Sequence, residues 1–253
     1  MKPGALKKFV NDLELSPSKH PYPGVTKRNL EETTTPADKE TSFVNEKSLV
    51  SFAAEVSLQN RADLLNSLLL AQLSANKQFS SEDELEKWYR AFFKLMNKLG
   101  WVIETSKTTE YKSKGTVIEI ESVVIDILES AIGGKVVEIA RSLISAFKGL
   151  ADDKEKKFIA FEKNTHSLKK GCFLFGVATE KNETLSVTFC FILLSSSHEI
   201  KQILFFRSKE DESKLKTASF KGTLNVDTYA PVRQIVIDKL KDNVAKSIAE
   251  IDI

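Results

Sequence analysis

Apolar residues recur at intervals of three and four through much of residues 46–150, and at intervals of two after residue 153. The change of period predicts helices first and strands afterwards. The strongest helical stretch runs from Glu121 to Leu150. Val124, Ile125, Ile127, Leu128, Ala131 and Ile132 cover a wide arc of one helix, against a narrow polar strip of Ser122, Asp126, Glu129 and Ser130. Beyond Gly133-Gly134, the residues Val136, Ile139, Ala140, Leu143, Ile144 and Phe147 form one side of a second helix. Lys135, Glu138, Arg141, Ser142, Ser145 and Lys148 fill its other side. The double glycine suits a left-handed C-cap and a sharp reversal, and Gly149 is expected to close the second helix. The stretch reads as an αα-hairpin whose apolar faces need a partner.

The flanking text is weaker but ordered. Residues 1–45 hold Pro3, Pro17, Pro21, Pro23 and Pro36 and few apolar residues, so they are expected to form an extended or flexible arm. Leu49, Phe52, Ala53 and Val56 suggest a helix from Glu46. Asn60 is expected to cap a second helical piece that carries Leu64, Leu65, Leu68, Leu69, Gln72 and Leu73. Ser81-Glu82-Asp83-Glu84 is a capping box that opens a helix with Leu85, Trp88, Tyr89, Phe92, Leu95, Met96 and Leu99, and Gly100 ends it.

After Asp153 five runs are expected to be strands: Phe158–Phe161, Cys172–Thr179, Leu185–Leu194, Ile200–Arg207 and Leu215–Leu224. In the third, Leu185, Val187, Phe189, Phe191 and Leu193 are apolar, and Cys190, Ile192 and Leu194 join them from the other side. That strand belongs at the centre of a sheet, dry on one side and partly covered on the other. Lys214, Lys216, Ser219 and Lys221 suit a solvated edge for the last strand. A closing helix over 226–250, capped by Asp227, would bury Val232, Ile235, Val236, Leu240, Val244 and Ile248.

This order predicts an α+β fold: an antiparallel meander of about five strands packed against a helical layer. Residues 46–253 would form one domain, mainly helical over 46–150 and sheet over 151–224. The hairpin's apolar faces would be satisfied by the meander. Each of its helices is about 16–20 Å long at 1.5 Å per residue, short of the roughly 30 Å hydrocarbon core of a bilayer. The alternative to core packing is therefore interfacial insertion, with Val136, Ile139, Leu143 and Phe147 as the membrane or partner face.

A net charge of +2 and no strongly basic block argue against nucleic acid. Two cysteines exclude a disulfide-dense scaffold. No transmembrane-length run or Sec-type leader is evident, so the default expectation is cytoplasmic, with signal-independent secretion open. His20, His166 and His198 show no metal-ligand spacing, and no phosphate-loop, dinucleotide or hydrolase-elbow motif occurs. Neither a cofactor nor a metal is expected. Ser195-Ser196-Ser197-His198 reads as a polar loop rather than a nucleophile and base.

Cys172 and Cys190 are the remaining candidates. A turn centred near Lys181 would set them directly opposite each other on one side of the sheet. They could be small buried hydrophobes, a cross-strand disulfide, or, for Cys190 above all, a reactive or lipid-modified thiol. Function is left between two main readings. The first is a non-catalytic binding or assembly protein, with an unknown protein partner or self-association. The second is a membrane-active effector using the 121–150 hairpin or a lipid-modified cysteine. An enzyme with an unrecognised site remains a third class.

Overall fold

The structure, a computed structural model, describes residues 3–19, 39–105, 109–111, 117–132, 134–241 and 243–251. In chain order, α1 (Pro3–Asp12) precedes a hairpin of β1 (Thr41–Asn45) and β2 (Ser48–Phe52). Two long helices follow, α2 (Leu58–Gln78) and α3 (Leu85–Lys98), and then the short strands β3 (Trp101–Thr105), β4 (Thr109–Glu110) and β5 (Val117–Glu119). Next come α4 (Ile120–Ile132), α5 (Gly134–Asp152) and α6 (Lys156–Thr165). The long strands are β6 (Lys170–Lys181), β7 (Thr184–Ser196) and β9 (Ser213–Leu224), with the short β8 (Arg207–Lys209) before the last of them. The chain closes through α7 (Val226–Tyr229), α8 (Arg233–Leu240), α9 (Val244–Ser247) and β10 (Ile248–Ile251).

The fold is α+β as expected, but the sheet is larger than five strands and is mixed. Its order is β10-β1-β2-β6-β7-β9-β3, with β4 also pairing with β9, while β5 and β8 form a separate ribbon. The β2–β6 pair is parallel. The last long strand, β9, lies between β7 and β3 and is not an edge. Its lysines sit near its ends or reach helix carboxylates, as Lys216 reaches Glu86.

Helices cover both sides of the sheet, which corrects the expectation of one helical layer. Tyr89 and Phe93 of α3 meet Phe191 and Phe220, with ring centroids 4.2 and 4.3 Å apart, on the side that carries Leu185, Val187 and Phe189. Phe173 of β6 meets Phe161 of α6, and Phe161 meets Phe147 of α5, on the side that carries Phe175, Cys190, Ile192 and Leu194. Both sets of sheet residues are buried. Gly176 lies opposite Phe189, whose ring Cε1 would stand 2.3 Å from a Cβ at that position. A side chain larger than hydrogen would displace the ring.

Several local expectations are overturned, each for a physical reason. Residues 46–56 were expected to be helical, yet they form the β1–β2 turn and β2. Every residue of both strands is buried, so no alternation survives to announce them. The serines that blurred the pattern pair internally, Ser42 Oγ to Ser51 Oγ at 2.6 Å. β1 falls within the expected arm, and so does α1, whose Leu6 and Val10 are buried; residues 20–38 of that arm lie outside the described residues. Phe158–Phe161 is helical, because Phe158, Phe161 and Thr165 share a side of α6. Most of Ile200–Arg207 is irregular. Ile200, Ile203 and Leu204 are buried there without a ladder, and only Arg207 begins a strand.

The helix ends also differ. Ser57, rather than Asn60, caps α2 by accepting the Asn60 N–H, and Asn225, rather than Asp227, accepts the Thr228 N–H at the last helical segment. That segment is broken and turns into β10, which pairs with β1. Ile251 docks in β10, whereas Ile253 lies outside the described residues. α5 runs through Gly149 to Asp152, and the chain leaves it at Lys154, which adopts a left-handed φ of 53°. Of the expected capping box, Ser81 Oγ accepts the Asp83 N–H and opens a 3-10 turn, Glu82–Glu84, ahead of α3, whereas the Glu84 carboxylate pairs with Lys87.

Candidate functional site

The hairpin expected at Glu121–Leu150 exists as α4 and α5, and its apolar faces lie on the sheet. Val124, Leu128, Ala140, Leu143 and Phe147 are wholly buried. Of the expected membrane or partner face, Ile139, Leu143 and Phe147 are therefore hidden, and Val136 is half-buried. Phe147 anchors the contact, with ring centroids 5.0 Å from Phe158, 5.1 Å from Phe161 and 6.3 Å from Phe205.

What holds the hairpin down is almost entirely apolar. Its side-chain polar contacts are local: Ser130 Oγ donates to the Asp126 carbonyl, Arg141 pairs with Glu129 across the two helices at 2.7 Å, and Ser122 Oγ donates to Glu119 next door in β5. Among the described residues no side chain of α4 or α5 hydrogen-bonds or pairs with the large sheet. The backbone tie is Ile120 N–H to the Phe206 carbonyl, where α4 begins.

The other helical layer is attached differently. Arg61 of α2 is buried and donates to the carbonyls of Val56 and Lys39 and to Thr41 Oγ1. Asn45 Nδ2 donates to the Leu65 carbonyl, and Gln72 bridges the β1–β2 turn, donating to the Asn45 carbonyl and accepting the Lys47 N–H. Asp63, 1% exposed, receives both a Nε and a Nη2 bond from Arg233 of α8 at 2.8 and 2.7 Å. Such bidentate, desolvated bonds are directional and fix one orientation of the layer.

The cysteines fall one on each side. The β6–β7 turn is Asn182-Glu183, with left-handed φ values of 49° and 60°, so the register pairs Cys172 with Leu193 and Cys190 with Phe175. An expected centre at Lys181 put the two thiols opposite each other; the true centre lies between Asn182 and Glu183 and sends them to opposite sides. Both are free and wholly buried. Burial pushes both thiols up from their ordinary pKa, with Lys47 partly offsetting the rise at Cys172. Neither is a ready nucleophile in this form. The side that was expected to be partly covered around Cys190 is closed.

The histidines are structural in this conformation. Ser196 Oγ accepts the His198 N–H in a turn, while the exposed His198 ring stands 3.4 Å from Glu212. His166 is embedded. Its Nε2 lies 2.8 Å from Glu162 Oε2 and its Nδ1 2.8 Å from the Ser167 carbonyl, and the same Glu162 oxygen accepts the Ile203 N–H. Burial alone would lower the pKa of His166, but the bonds to Glu162 and Ser167 outweigh it and raise it. This Glu162–His166 clamp ties α6 to the irregular segment before β8. The sequence gives it away only as a pair four residues apart, just past a run that reads as a strand, with His166 in an expected loop. His20 lies outside the described residues.

No known family profile matches the chain, and no curated protein sequence matches it. Among solved structures, one described as a delta-endotoxin aligns with 78% of this chain and 90% of its own, at 14% identity and a TM-score of 0.41. The activated Cyt2Ba monomer from Bacillus thuringiensis subsp. israelensis aligns with 54% of this chain and 79% of its own, at 11% identity and a TM-score of 0.33. The Evf virulence factor aligns with 81% and 83%, at 11% identity and a TM-score of 0.36. Likenesses at this level carry no functional argument. Among the described residues no helix is long and apolar enough to cross a membrane, and no group of three or more metal-ligating side chains occurs.

Proposed function

We propose that the protein is a membrane-active effector whose α4–α5 hairpin leaves the sheet and inserts its apolar side at a bilayer surface. One observation carries this reading: among the described residues, the hairpin rests on the sheet without a side-chain hydrogen bond or ion pair to it. Moving it from protein to lipid exchanges one apolar neighbour for another, so the cost of release is offset at the membrane and not in water. The α2–α3 layer would break the buried bonds that tie Arg61, Leu65 and Gln72 to β1 and its turn, which lipid cannot replace. Release is thus directed to one side of the sheet. Arg141 and Lys148, exposed on the solvent side of α5, suit the headgroup region of an anionic leaflet.

The two buried thiols report the two sides separately. On addition of anionic vesicles, maleimide modification of Cys190 is expected to accelerate by about tenfold or more, with dye release, while Cys172 stays protected. Mass spectrometry of the labelled peptides reads both in one sample. Cys190 remaining as protected as Cys172, or both becoming reactive together, would end the proposal.

A further inference from the structure

Outside the hairpin, the outer side of the α1–α2–α3 layer carries a groove of about 490 Å³. Its floor is apolar: Phe9 and Leu13 from α1, Phe79 after α2, and Ala91 and Leu95 from α3. Along one wall Lys87, Arg90, Lys94 and Lys98 stand at successive spacings of three, four and four, so α3 presents them as one stripe. No acidic side chain lines the groove. Lys87 is engaged by Glu84, and Lys98 sits 3.8 Å above the Phe9 ring centroid. Arg90 and Lys94 are exposed and make no ion pair among the described residues; nearby Glu86 is taken by Lys216.

We propose that this groove binds a single-chain anionic amphiphile, the chain on the Phe9–Phe79–Leu95 floor and a phosphate head between Arg90 and Lys94. A volume of this size, an apolar bed and a few converging charged groups are the ordinary make-up of a small-ligand site. The four cations along one wall, with no acid among the lining residues, define the sign of the head. Arg90 and Lys94, one helical turn apart, can both reach one phosphate, with the guanidinium supplying a two-pronged contact. Half-buried Phe9, Leu13 and Phe79 leave the floor accessible from solvent. The site stands independently of hairpin release and lies in the layer that stays fixed.

Calorimetric titration of the full chain with dodecyl phosphate, below its micelle concentration and at constant ionic strength, tests the site. Saturable one-to-one binding is expected, weakened by about tenfold or more in Arg90→Gln/Lys94→Gln. Dodecyltrimethylammonium, which keeps the chain and reverses the charge, is expected not to bind, and inorganic phosphate, which lacks the chain, is expected to bind far more weakly. Both substitutions lie on exposed positions, and an unchanged melting temperature shows that the variant is folded. Equal binding of both amphiphiles, or unchanged affinity in the double variant, overturns the proposal. So does an acidic amphipathic peptide that binds here when dodecyl phosphate does not.

Discussion

The two sides of the central sheet are covered by helices of similar length but unlike attachment. On one side α2 carries Asn60, Arg61, Asp63, Asn66, Gln72 and Ser74 into the interior, and several of these bond to strands, turns or α8. On the other, the buried residues described in α4 and α5 are Val, Ile, Leu, Ala and Phe. Apolar burial is non-directional and strong in sum; a buried hydrogen bond is modest in net energy but costly to leave unmade. The first layer therefore has one place to sit, while the second can be accepted by any apolar surface. The lesson is that stability and commitment to one geometry are separable: a layer can be tightly held in water and still be free to change hosts.

The largest expected effect lies on the apolar side. Phe147→Ala removes the ring that joins α5 to α6 and to Phe205, and is expected to cost about 3–5 kcal/mol in urea unfolding. Hydrogen exchange should show α4 and α5 opening before α2; uniform opening of both layers would mean that they are held alike. On the polar side, Arg233→Met keeps much of the stem but leaves the Asp63 carboxylate buried without its guanidinium, a change expected to cost about 3 kcal/mol. Its signature should differ from that of Phe147→Ala, with dye release from vesicles unaltered.

The smallest effect is a dependence on pH. The folded pKa of His166 is raised above 6.5, so the clamp contributes fully below that value and is lost as pH rises through the folded pKa. The urea midpoint of the native chain should fall across that window, and His166→Gln should flatten the decline. A midpoint that rises there, or a slope unchanged in the variant, would remove the clamp from the account.

Where the repeat ran long enough, periodicity alone was enough to read an element. The α4–α5 pair, α3, and the strands β6, β7 and β9 were all legible, because a 3.6- or 2-residue repeat of apolar and polar positions is a local property of the chain. Reading failed where the element was short: β1 and β2, five residues each and dry on both sides, and α6, under three turns long with a buried Glu162 on it. Of the candidate site, the faces of the hairpin were visible from the pattern, as was the presence of two thiols. That Cys172 and Cys190 lie on opposite sides was decided by a turn displaced by one and a half residues, since each one-residue slip in register inverts the side a residue faces. Which helices bond to the sheet and which merely rest on it was decided by tertiary structure alone, because a hydrogen bond such as Asn45 to Leu65 or Arg61 to Thr41 joins positions far apart in sequence. Hydrophobic pattern says that a face must be covered; only the assembled fold says by what, and how firmly.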